Sequence, residues 1–239
     1  MNFFYYIFLF ISICSTNVYA QPAGYSFGRN IEISSSLVSG SSDLLDFTVY
    51  LELNDPALRH TSNGGNIQHS NGFDIIFTLP GCTTPLSYQI EDYDPVTGDL
   101  IVWVRVPVLS ASMNTRIFMY YGNSSVSSDQ SSATTWTSNY EGVWHMDNDP
   151  SSSTLTDYSG NGVNGTAFGG MTSSDLVTGK LGDAIDFDGA NDYFALASKF
   201  YTNSGEIPQL TISAWINTTF TNTSTVSYTH LRAHETVTY

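Results

Sequence analysis

Cysteine is nearly absent. The chain has two, and only Cys82 lies outside the first twenty residues. A disulfide scaffold and any multi-cysteine metal site are therefore excluded. Basic residues are scarce too. Seven Lys and Arg stand against 22 Asp and Glu, for a formal net charge of −15, and the only lysines are Lys180 and Lys199. Such a chain repels nucleic acid phosphates and anionic headgroups, so no nucleic acid partner is expected. The string Gly24-Tyr-Ser-Phe-Gly28 has Gly-x-Ser-x-Gly spacing, but no helical pattern follows it, so the strand–turn–helix context of a nucleophile elbow is missing. Between Arg29 and Tyr121 no window has the 3.6-residue apolar period of a useful helix.

The two ends differ in style from the rest. Asn2–Val18 is an uncharged run rich in Phe, Tyr and Ile, followed by Val18-Tyr19-Ala20 and Gln21-Pro22. This pattern reads as a signal peptide over residues 1–20, cut between Ala20 and Gln21. The expected address is secreted, extracellular or cell surface, with no membrane insertion after cleavage; an uncleaved anchor is the competing reading. At the other end, Val226–Thr236 carries two of the five histidines and resembles the translation of a sequencing-library adapter. Residues 226–239 are therefore expected to be artefactual, with the native chain continuing differently past Thr225.

What remains is patterned for strands. In Phe47–Leu53 the residues Phe47, Val49, Leu51 and Leu53 share one face. In Leu100–Val106 the residues Leu100, Val102, Val104 and Val106 share one face, while Ile101, Trp103 and Arg105 share the other. Period two with one apolar side marks a half-buried strand. Asn30–Ile33, Phe73–Thr78, Leu86–Ile90 and Thr115–Tyr121 are shorter candidates, and Asp94-Pro-Val-Thr-Gly98 reads as a hairpin turn. The fold class expected is all-β, with an antiparallel β-sandwich over residues 21–123. Residues 124–139 have the Ser/Thr-rich composition of a linker.

Two resemblances follow. The blocks Gly72–Thr78, Pro85–Glu91, Leu100–Pro107 and Ile117–Asn123 resemble a bacterial extracellular domain of unknown function often found beside lectin-like modules. Further on come Gly142-Val-Trp-His-Met146, Thr156–Gly162, Gly179–Tyr193 and Leu210–Ile216. These resemble, in order, the LamG-like family of concanavalin A-like jelly rolls. The resemblance implies that residues 140–225 form an incomplete jelly roll of about half the usual length.

Candidate chemistry is sparse. Asp157, Ser159 and Asn161 alternate along a glycine-bounded loop, and Asp186, Asp188, Asn191 and Asp192 gather around Gly189. Hard cations take several oxygen ligands from such loops, and the LamG-like resemblance implies one calcium. Asp157, Asn161, Asp188, Asn191 and Asp192 are the candidate ligands; the alternative is that Asp, Asn and Gly are what turns require. Laminarinase-like relatives of the jelly roll place paired glutamates on one strand, but Ala184 and Gly189 stand at both positions here, so that hydrolysis is excluded. His60 and His69 flank a Gly/Asn-rich loop and are expected at the solvated surface. Aromatic faces stack on sugar rings. Trp144 and Trp215 are expected in the core, Trp136 in the linker, and Trp103 either packed or exposed.

The function expected is non-catalytic binding of carbohydrate or another extracellular ligand, such as an extracellular protein, through the LamG-like module. The alternative is a set of accessory modules of a larger glycoside hydrolase whose catalytic domain lies elsewhere. A purely structural stalk is the third reading.

Overall fold

A computed structural model describes residues 21–137, 139–197 and 211–217. The candidate cleavage residue Ala20, the adapter-like tail, and Leu210 of the last expected strand lie outside the described residues. Six strands come first: β1 (Phe27–Ile33), β2 (Leu44–Asn54), β3 (Ile76–Thr78), β4 (Tyr88–Asp94), β5 (Asp99–Leu109) and β6 (Thr115–Tyr121). They form two antiparallel three-stranded sheets, ordered β1-β6-β3 and β2-β5-β4. The chain is all-β, as expected for a sandwich, and helical structure among the described residues is confined to three-residue 3-10 turns. No described helix is long and apolar enough to cross a membrane.

The core follows from the period-two pattern. Val49 and Leu51 on β2, and Leu100, Val102, Val104 and Val106 on β5, are all buried. They meet Ile31, Ile33, Phe77, Ile117 and Met119 from the other sheet in one cluster. The register Val49↔Val104 and Leu51↔Val102 puts these residues side by side, so each contributes cross-strand packing as well as burial. The hairpin from β4 to β5 turns where the sequence places it. Gly98 N–H donates to the Asp94 carbonyl at 2.9 Å, and the Asp94 carboxylate accepts from Val96 N–H at 2.7 Å. Gly98 has φ +80°, and a Cβ there would lie 2.1 Å from the Asp55 carbonyl oxygen, so only glycine fits.

Residues 131–136, within the stretch of linker-like composition, pack against the β2-β5-β4 sheet. Ser132 N–H donates to Tyr88 O at 2.9 Å, Ile90 N–H donates to Ser131 Oγ at 3.2 Å, and Thr48 Oγ1 donates to Thr135 O at 2.8 Å. Serine and threonine serve here as partners for the sheet edge rather than as flexible spacer. Trp136 is buried on this face.

The remaining strands are short: β7 (Thr154–Leu155), β8 (Gly165–Phe168), β9 (Leu176–Thr178), β10 (Asp183–Ile185) and β11 (Tyr193–Leu196). They make a three-stranded sheet β11-β8-β7 and a β9-β10 pair. Two expected strands are not formed. Gly142–Met146 has no strand pairing, because Val143 N–H is taken by the Asp157 carboxylate at 2.9 Å and Met146 has φ +59°. Thr211–Asn217 carries no strand assignment and is exposed, and Trp215, expected in the core, is 56% exposed.

Candidate functional site

A shallow groove of about 450 Å³ runs beside β4. Its walls include Asn71 and Phe73 from the loop before β3, Glu91, Asp92 and Tyr93 from β4, and Asp129 and Ser131 from the covering segment. No lysine or arginine lines it. The loop is held by local contacts. His69 stacks on Phe73 with ring centroids 4.2 Å apart, so it serves as a ring support. Gln130 Nε2 donates to Phe73 O at 2.7 Å. Tyr93 donates its hydroxyl to Leu58 O at 2.7 Å. Partial burial of Asp92 raises its carboxyl above the ordinary carboxylate range; the Tyr93 N–H opposes this, while nearby Asp183, Asp94 and Glu91 add to it.

Beneath the groove lies a buried polar cluster. β4 carries an irregularity between Ile90 and Asp92, where the register on β5 shifts by one. A bulge of this kind re-aims a side chain, and Glu91 occupies it. Its carboxylate accepts from Trp103 Nε1 and lies 3.3 Å from His145 Nδ1, with side-chain exposures of 7% for Glu91 and 4% for His145. On the other side of the imidazole, Gln89 Oε1 is 3.0 Å from His145 Nε2 and accepts from Trp136 Nε1 at 2.7 Å. Trp103 packs between Tyr50 and Trp136 at centroid distances of 5.2 Å to each. Trp103 is therefore packed, and His145 is a core residue.

A second carboxylate organises the chain ends of the sandwich. Asp74 is fully buried and accepts four main-chain N–H groups: Gln68 at 2.9 Å, His69 at 2.9 Å, Gly122 at 3.0 Å and Asn123 at 3.2 Å. It ties the loop before β3 to the residues leaving β6. This also shortens the expected strand Phe73–Thr78 to Ile76–Thr78, since Asp74 points its acceptors at a loop.

The candidate calcium ligands fall in two places. Asp157 Oδ1 accepts from Val143 and Ser159 N–H, each at 2.9 Å, and Oδ2 from Ser159 Oγ and Val163 N–H, also each at 2.9 Å. Burial acts to raise its pKa, but these donors together hold it below the ordinary range. Asn161 Nδ2 donates to Tyr140 O at 2.7 Å. Asp188 Oδ1 collects the N–H groups of Ala190, Asn191 and Asp192 at 2.8–3.2 Å, which lower its pKa. Asp192 Oδ2 accepts from Asp188 N–H at 3.0 Å, and Asn191 Nδ2 donates to Gly169 O at 2.9 Å. These are turn-closing roles. Among the described residues no group of three or more His, Cys, Asp or Glu is placed to hold a metal ion. Gln21, on the mature side of the expected cleavage, is exposed, as is Cys82.

Glu91 and Asp74 are not apparent from residue spacing. The usable signal for Asp74 is a lone acid inside the apolar run Phe-Asp-Ile-Ile-Phe, since a buried charge needs a dedicated set of partners. For Glu91 no such signal exists, because its inward aim depends on the bulge.

No curated protein and no solved structure matches the chain. Residues 71–156 match one family, described only as a domain of unknown function (DUF2341). The matched stretch contains the groove loop from Asn71, Asp74, strands β3 to β6, the covering segment and His145, and no LamG-like module is matched. This part of the chain is similar to a β-rich domain whose function is not assigned.

Proposed function

We propose that the chain is a non-catalytic, exported binding module whose ligand is carbohydrate, held in the groove beside β4. The observation that carries the reading is the lining itself. The rings of Phe73 and Tyr93 stand with the carboxylates of Asp92 and Asp129, the Asn71 amide and the Ser131 hydroxyl. Sugar rings offer C–H faces that pack on aromatic rings, and hydroxyls that donate to carboxylates and exchange hydrogen bonds with amides. Few ligand classes need both. The lack of a basic side chain in the lining argues against sulfated or uronic acid polymers. The apolar leader before Gln21 supports an exported address. The proposal needs no calcium.

Affinity electrophoresis of the full chain through gels containing neutral, amino-bearing or uronic acid polysaccharides tests this. Retardation is expected with a neutral or amino-bearing polymer, and Phe73→Ala should weaken it by about tenfold or more, as loss of one stacking ring does. Absence of retardation in every gel, or retardation unchanged in both Phe73→Ala and Asp92→Asn, overturns the proposal.

A further inference from the structure

Asp92 stands where two parts of the chain meet. It belongs to β4, and a Cβ placed on Gly182, in the turn between β9 and β10, would lie 3.5 Å from the Asp92 Cβ. Asp183 follows that glycine and opens β10. Burial raises the Asp92 carboxyl, and Asp183, Asp94 and Glu91 add to the effect. The covering segment brings a further carboxylate, Asp129, into the groove lining. Carboxylates crowded in this way repel one another unless a cation joins them.

The described cations are engaged elsewhere. Arg29, Arg105 and Arg116 pair with Asp55, Asp46 and Glu32, none of which lines the groove. Arg59 Nε donates to Thr97 O at 3.3 Å, and Lys180 is exposed and outside the lining. Glu91 is already taken by Trp103 and His145. Asp129 gives Oδ1 to the Ser131 N–H at 2.8 Å, so Asp92 and Asp129 Oδ2 are the oxygens left for a ligand. Phe73 and Tyr93 add ring faces, which attract an ammonium group as well as sugar C–H groups. Among the described residues no three His, Cys, Asp or Glu are grouped to hold a metal ion, so the cation called for is organic. A buried polar atom points the same way. Tyr88 is 2% exposed, and its hydroxyl has no partner among the described residues. Burial raises its pKa, and Tyr25, Asp129 and Asp74 add to that. Ile90, two residues on and so on the same face of β4, lines the groove. An unpaired buried hydroxyl beside a groove marks a place for one more polar group.

We propose that the groove selects glycans bearing free amino groups, the ammonium being held by Asp92 and Asp129 against the rings of Phe73 and Tyr93. The inference rests on the carbohydrate reading and narrows it. The hydroxyls of such a glycan take the Asn71 amide and the Ser131 hydroxyl, which a lysine side chain of a basic peptide would leave unused. N-acetylation removes the charge of the amine, and with it the attraction to both carboxylates.

Titration calorimetry of the full chain with a matched pair of ligands tests this. The pair is a short glucosamine oligomer and the same oligomer after N-acetylation, at about pH 5.5, where an ordinary carboxylate is ionised and the amine is protonated. The free-amine oligomer should bind about tenfold or more tightly, the worth of one charge-assisted hydrogen bond. Most of that preference should go in about 1 M salt, where the Debye length is about 3 Å. Asp92→Asn and Asp129→Asn should each narrow the preference, and Phe73→Ala should weaken both oligomers. Glu141→Gln removes an exposed charge outside the groove and should leave the preference as in the wild type. Equal binding of the two oligomers, or a preference lowered as much by Glu141→Gln as by Asp92→Asn, overturns the amine selection and leaves the carbohydrate reading standing. An oligolysine of equal charge that binds as tightly as the amino oligomer overturns it in favour of a basic peptide. Retardation in a neutral polysaccharide gel without binding of the free-amine oligomer also overturns the selection alone. Absence of binding to either oligomer and to every gel removes the carbohydrate reading and this inference with it.

Discussion

The sandwich of β1–β6 and the region of β7–β11 share an alternating sequence style but are held together differently. The sandwich buries a continuous cluster drawn from both sheets. In the later region the buried apolar side chains among the described residues are Leu155, Val163 and Met171. Its carboxylates do much of the holding instead: Asp157, Asp175 and Asp188 each close a turn on main-chain N–H groups. On its sheet the cross-strand pair Phe168 and Tyr193 is stacked yet exposed, at 45% and 51%. The same period-two pattern can thus be backed by a deep core or by polar clips. The two differ in how burial and charge share the work.

The largest effect expected falls on the carboxylate that closes the sandwich. Asp74→Ala leaves four N–H donors without their acceptor, those of Gly122 and Asn123 in buried bonds, and the loss of stability should be about 4 kcal/mol. Urea denaturation followed by tryptophan fluorescence reads it. A loss near 1 kcal/mol would mean that water replaces the carboxylate there. Next come matched truncations of leucine in the two regions. Leu100→Ala empties a fully buried site between the sheets and should cost about 3–4 kcal/mol of global stability. Leu155→Ala sits where neighbours are few and the site can collapse, so about 2 kcal/mol is expected, confined to hydrogen exchange in β7 and β8. Equal global losses would erase the distinction between the regions.

The fold was legible where alternation is strict. β2, β5 and β6 and the Asp94–Gly98 turn lie where period and turn chemistry put them, because side-chain parity alone decides which face meets the other sheet. It was illegible where a side chain captures the main chain. Gly142–Met146 alternates plausibly, but Asp157 takes its N–H from fourteen residues away. Residues 124–139 have the composition of a spacer, yet the Ser131 hydroxyl and the Ser132 N–H satisfy the edge of β4. The groove was hidden for a similar reason: Phe73, Asp92 and Asp129 come from three separate segments, and Glu91 is turned inward by a bulge that has no sequence signature.

Acid should separate the two regions. Asp157 and Asp188 are held below the ordinary carboxylate range by the N–H groups they accept. A lowered carboxyl contributes stability above its unfolded pKa of about 3.9, and that stability is lost as pH falls through the folded value. In the sandwich, Asp55 is lowered as well, partial burial being outweighed by the Ala57 N–H and Arg29, but its apolar cluster contains no carboxylate. Titration below about pH 4 should therefore release β7–β11 before the sandwich, as read by hydrogen exchange at each pH. Asp157→Asn should bring that release to neutral pH. Simultaneous loss of both regions would show that the clips add little.

The smallest effect has the opposite sign. Asp92 is raised by partial burial and by Asp183, Asp94 and Glu91, against the pull of the Tyr93 N–H. A raised carboxyl favours folding only while protonated, and that contribution is lost as pH rises through the folded pKa. At neutral pH the ionised Asp92 therefore works against the fold. Asp92→Asn should raise Tm slightly at pH 7, by about a degree or two given the side chain's exposure. The gain should shrink in 1 M salt, where the Debye length is about 3 Å, and disappear at low pH. The same change should weaken polysaccharide retention. A position that costs stability yet serves binding is what a functional groove predicts, whereas a neutral effect on retention together with higher stability would mark Asp92 as a surface charge with no role in the groove.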